Sequence, residues 1–186
     1  MAVDPIEYRK EAEQRICNSI NLIEDNDFEG FYDFNSKMSR PVRGQVGKIF
    51  YDSHINGLNH VNQIPESFLY DAGIEEIIIP NHITKINSLA FNNCNLSKVV
   101  IPDSITYIDY AAFARNRNLT EFILGIGIQN IKDNTFDNCY NLKEIIYRGT
   151  KSQFKKTKLH MRKNWKANSG IKFIVCTDGT IYLTNN

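Results

Sequence analysis

Between Ile64 and Thr150 the sequence repeats itself with a period of 22 to 23 residues. Ile79-Pro80 leads through Ile83, Ile86 and Ala90 to Phe91. Ile101-Pro102 leads through Ile105, Ile108 and Ala112 to Phe113, and Leu124 through Ile128, Ile131 and Thr135 to Phe136. Aligned on phenylalanine, Phe68 stands as the first, irregular member, 23 residues before Phe91. A period in the twenties with apolar residues at constant offsets belongs to stacked units, each too small to bury its own apolar face. Such a chain is a surface built by stacking, so binding is expected of it before catalysis.

After each phenylalanine comes a strand-like run. These are residues 74–79, 96–101, 119–124 and 142–147, all of the form L-x-x-L-x-L and dense in β-branched residues. The register predicts one parallel sheet along one face of about four stacked units. The residue between the last two inward positions points outward. That outward column is Ile78, Val100, Ile123 and Ile146, with Glu76, Lys98, Glu121 and Glu144 beside it. Aligned aliphatics on an exposed sheet mark a protein-binding stripe. Strand propensity, or cover by the N-terminal segment, accounts for the same column without a partner.

The repeats resemble the leucine-rich repeats of the BspA type, also found in a treponemal surface protein. The family pattern is roughly I-P-x-x-V-T-x-I-x-x-x-A-F-x-x-C-x-x-L-x-x-I-x-I-P. Ile101-Pro102, Ile105-Thr106, Ile108 and Ala112-Phe113 match its first half, and Phe136, Cys139 and Leu142 its second. The departures are Asn116 where cysteine is usual and Gly125 where proline is usual, a core position and a turn. The likeness extends into the C-terminal segment through Gly149-Thr150, Phe154, Trp165 and Asp178-Gly179. It implies a leucine-rich-repeat solenoid whose Phe154 and Trp165 belong to the core of a terminal cap.

The fold class expected is therefore α+β: a short solenoid with a parallel sheet on one face, a helical N-terminal cap and a β-hairpin C-terminal cap. Residues 1–48 form the first cap, 49–150 the repeats and 151–186 the second cap. Asp4-Pro5-Ile6-Glu7 has the form of a helix start, and apolar spacing carries that helix over about 5–24. Two strands are expected around Asp178-Gly179, over 171–176 and 180–183. Short proteins of this layout are similar to bacteriophage-encoded open reading frames.

Chemistry finds little support. The four histidines fall in no H-E-x-x-H motif, and no G-x-S-x-G occurs, so no catalytic residue is assigned. Gly44 to Lys48 is too short for a phosphate loop, and Ser36 stands where a calcium loop starting at Asp25 needs glutamate. Asn95 and Asn118 open glycosylation sequons but fall in repeat turns, where asparagine suits the backbone. The cysteines at 17, 94, 139 and 176 form no CxxC pair, which argues against zinc. Cys94 and Cys139 sit two units apart, roughly 10 Å at strand spacing, and are expected as buried free thiols. No cofactor and no metal is expected.

Net charge is +1, but it is polarised. Residues 1–35 hold nine acids and three bases, whereas residues 145–177 hold nine bases and no acid. Lys155, Lys156, Lys158, Arg162 and Lys163 form a candidate anion-binding cluster in the basic cap. With Phe154 and Trp165 committed to the core, an acidic protein surface ranks above nucleic acid as its partner. The charged N-terminus and the lack of a long apolar run point to a cytoplasmic protein without a membrane span.

Overall fold

The computed structural model describes residues 61–157 and 164–183. The expected N-terminal helix, and the acid-rich stretch with it, lie outside the described residues. So do Lys158, Arg162 and Lys163.

The described chain coils into a parallel solenoid of about four turns. One ladder is made of two-residue strands: β1 (Gln63–Ile64), β2 (Lys85–Ile86), β4 (Tyr107–Ile108) and β6 (Asn130–Ile131), paired parallel in that order as sheet A. Its isoleucines Ile64, Ile86, Ile108 and Ile131 stack inward and are fully buried. A second sheet, sheet B, contains β3 (Lys98–Val100), β5 (Glu121–Leu124) and β7 (Glu144–Tyr147), again parallel. The two sheets correct the expectation of one. The tripeptides that make sheet A, at 62–64, 84–86, 106–108 and 129–131, share only their final isoleucine, and a two-residue strand is too short to show a period of two.

A third ladder closes each turn. The N–H groups of Ser67, Leu69 and Asp71 donate to the carbonyls of Ser88, Ala90 and Asn92, and the same pattern repeats from turn to turn. Ser67, Leu89, Ala111 and Asn134 all take left-handed backbone there, with φ between 51° and 59°. This ladder also corrects the alignment of the first unit. Leu69, not Phe68, occupies the phenylalanine place: its N–H pairs as that of Phe91 does, and its carbonyl accepts from Cys94 Sγ as the Phe113 carbonyl accepts from Cys139 Sγ. The isoleucine spacing contains the signal, because Ile64 to Ile86 and Leu69 to Phe91 are both 22 residues.

Residues 74–79 do not form a full strand. They contribute one parallel bridge, Glu76 to Lys98, although Ile77 and Ile79 are buried as expected. Proline accounts for the missing bond at Ile79. The Arg148 N–H donates to Leu124 O and extends the pairing of β5 and β7, whereas Pro102, at the equivalent place, has no N–H to offer Ile79. Where the third unit replaces proline by Gly125, its loop lies hard against the preceding one. A Cβ at Gly125 would stand 2.5 Å from Pro102 O, and one at Gly127 1.9 Å from Asp103 O.

The core is a stack of aromatic rings between the sheets. Phe91 and Phe113 stack at 5.3 Å, and Phe113 and Phe136 at 6.3 Å. Phe122 meets Phe113 and Phe136 edge-on at 5.1 and 4.7 Å. Trp165 closes the end of the stack, edge-on to Phe136 at 5.9 Å, and its carbonyl takes the Phe136 N–H.

The C-terminal segment closes sheet B. After β7, Thr150 caps α1 (Lys151–Lys156) with a reciprocal capping box to Gln153, and α1 buries Phe154 against Tyr147. Then β8 (Phe173–Cys176) pairs parallel with β7, and β9 (Gly179–Tyr182) turns back antiparallel on β8. The hairpin is as expected except that Thr177-Asp178 forms the turn, while Gly179, at φ 123°, opens the returning strand.

Candidate protein-binding face

Alternation along the strands of sheet B sends one set of side chains to the core and the other outward. Register places the outward residues in two rows. Glu76, Lys98, Glu121 and Glu144 lie in the first, which continues into Phe173 and Tyr182. The second runs from Val100 through Ile123 and Ile146 to Val175, with Ile78 ahead of Val100 by the same offset. Every predicted stripe residue therefore lies on one face. Ile78 is 71% exposed and Val100 40%, while Ile123 and Ile146 are half-buried by their neighbours in the row. Lys98 and Glu121 form an ion pair at 2.9 Å, exposed enough for its contribution to be small.

Sequence reasoning stopped this face at Ile146. Val175 extends its aliphatic row, and Phe173 and Tyr182 end the charged row in an aromatic pair with ring centroids 6.1 Å apart. In the sequence the cap is a hairpin apart from the repeats, and only its pairing with β7 joins the two surfaces.

Three side chains at one repeat position, Cys94, Asn116 and Cys139, hold the turns at their spacing through buried hydrogen bonds. Cys94 Sγ donates to Leu69 O at 2.8 Å and Cys139 Sγ to Phe113 O at 3.2 Å. Burial pushes both thiols up to about 12. Asn116 stands at the same place in the turn between them, fully buried. Its Oδ1 accepts from the N–H groups of Cys94 and Leu96, and its Nδ2 donates to Phe91 O and Phe113 O.

A family model for the BspA type leucine-rich repeat region matches residues 47–166 in six copies. The chain belongs to the BspA-type leucine-rich-repeat family. A leucine-rich repeat protein from Bacteroides ovatus, known from its crystal structure, is similar at 22% identity with a TM-score of 0.44. The match covers 61% of this chain and 34% of that one, so it spans about a third of the Bacteroides protein. No curated protein matches.

In this BspA-type solenoid the basic cap is only partly brought together. Lys155 and Lys156 are exposed in the last turn of α1, where a cation complements the helix end. Phe154 and Trp165 are buried, 2% and 3% exposed, so neither ring is offered for base stacking. Arg148 is engaged elsewhere, at 2.8 Å from Asp103. Among the described residues no group of three histidine, cysteine or acidic side chains is placed to hold a metal. No described helix is long and apolar enough to cross a membrane.

The two core thiols lead to a prediction. Native protein treated with a thiol reagent near pH 8 is expected to leave Cys94 and Cys139 unmodified, and denaturant to expose both, as mass spectrometry of peptides will read. The unfolded thiols ionise near 9 and the folded ones near 12. The unfolded state therefore loses protons first, and stability falls as pH rises through that window. Rapid labelling of Cys94 in the native state would contradict its burial.

Proposed function

We propose that this protein binds another protein through the outward face of sheet B and performs no chemistry there. The observation that supports this most is the aliphatic row from Ile78 through Val100, Ile123 and Ile146 to Val175, carried from Val100 onward by the strands of sheet B. A strand face of this kind suits a partner with apolar side chains in the same spacing. The neighbouring row holds Glu76, Glu121 and Glu144 against Lys98 and favours a partner with basic flanks. A phage-borne protein acting on a host or virion protein would use the same face.

Ile123→Lys tests the reading. Its side chain points away from the core, so Tm and circular dichroism are expected to stay near the wild type, as surface changes usually cost within about 0.5 kcal/mol. Capture of the partner from native-host extract is expected to be lost, and Val100→Lys is expected to behave likewise. If Ile123→Lys unfolds, the row is core and the assignment is refuted.

A second contact is proposed at the cap, where exposed Lys155 and Lys156 suit an acidic protein surface. Short DNA is expected to bind weakly even at low salt. Micromolar DNA binding abolished by reversing Lys155, Lys156 and Lys158 to glutamate would make nucleic acid the ligand instead.

A further inference from the structure

Among the described residues sheet B ends at β9, and the hydrogen-bond phase of the hairpin shows which backbone groups face outward there. The Leu183 N–H donates to Lys172 O at 2.8 Å. Bonded and non-bonded pairs alternate in an antiparallel ladder. Ile174 with Ile181 and Cys176 with Gly179 are therefore the bonded pairs, and Phe173 with Tyr182 and Val175 with Thr180 the non-bonded ones. The N–H and C=O of Thr180 and Tyr182 thus point to the open edge. Among the described residues none pairs with them. Edge strands are ordinarily guarded by lysine, proline or a bulge. This one has none of these: Thr180-Ile181-Tyr182-Leu183 is uncharged and β-prone, and Tyr182 is 80% exposed.

We propose that β9 is a self-association edge, pairing antiparallel with β9 of a second copy about a two-fold axis through Ile181. Thr180 then lies opposite the partner's Tyr182, and the two exchange N–H to C=O bonds, with the reciprocal pair on the other side of the axis. A two-fold axis through Ile181 sets the outward Thr180 and Tyr182 of one copy opposite Tyr182 and Thr180 of the other. Such an arrangement meets itself in register. Thr180 to Leu183 carry no charge of their own, so two copies of the strand do not repel one another. Tyr182 lies on the outward face with Phe173, so its ring would cover the partner's Thr180, a favourable cross-strand contact. The two sheets would join into one, and two stripes would present a single surface of doubled length.

Sedimentation equilibrium of the full chain, with hydrogen exchange read at Thr180 and Tyr182, tests this. The wild type is expected to show a concentration-dependent dimer with both amides protected at high concentration. Tyr182→Lys is expected to weaken the dimer at least about tenfold. Thr180→Pro, which removes only an edge-facing N–H and leaves the bonded pairs of β8 and β9 intact, is expected to do the same. Val100→Lys is expected to leave the dimer unchanged, which separates this edge from the stripe. A wild type monomeric at every concentration overturns the proposal, even with protected edge amides, since another segment then occupies the strand. Dimers that persist in both edge variants overturn it as well.

Discussion

Phe113→Ala is expected to destabilise the protein by about 3–5 kcal/mol, the range of buried aromatic truncations. Phe113 is wholly buried, stacked on Phe91 and Phe136 and met edge-on by Phe122. Its removal opens a hole in the middle of a one-dimensional stack, where the turns on either side are held by ladders and collapse poorly. Each turn of a solenoid is stabilised by its neighbours, so the loss also uncouples the first two turns from the last two. Denaturant unfolding will measure it, and a second transition is expected to separate from the first. A loss under about 1 kcal/mol, typical of surface positions, would show that the ring is not in the stack.

Asn116→Ala is expected to cost at least about 3 kcal/mol, although the side chain is small and polar. The amide satisfies the N–H groups of Cys94 and Leu96 and the carbonyls of Phe91 and Phe113, all buried. Removing it strands both donors, at about 1–3 kcal/mol each. Asn116→Cys is the sharper test, because cysteine holds this place in the neighbouring turns. A thiol can donate to Phe91 O as Cys139 does to Phe113 O, but it offers the two N–H groups only a weak acceptor. The cysteine variant is expected to fall between wild type and alanine. Equal stability of Asn116→Cys and wild type would mean that the amide oxygen contributes nothing.

The period of the repeat, the inward positions and the aromatic stack were legible in the sequence. Ile83, Ile86, Phe91, Leu96, Val99 and their counterparts recur at constant offsets because each turn must place the same side chain over the one before. The outward rows followed from the same register, since alternation along a strand leaves no freedom once one face is assigned. The two-residue hairpin was also legible, to within one position, from its turn residues.

Pairing between distant segments was decided only in three dimensions. Nothing local distinguishes Lys85-Ile86 from a loop; its hydrogen bonds come from neighbouring turns, 22 residues away on either side. The first unit was misaligned by one residue because Phe68 imitates the repeat, whereas the amide ladder selects Leu69. Strand pairing carried the outward face of sheet B onto Val175, Phe173 and Tyr182. In the sequence Asn116 is only a departure from cysteine, since its value lies in four partners, three in the preceding turn and one in its own. A repeating sequence determines what each turn buries, because burial is set by spacing along the chain. Which turn pairs with which terminal segment depends on hydrogen bonds between residues far apart in sequence, and those exist only once the chain has coiled.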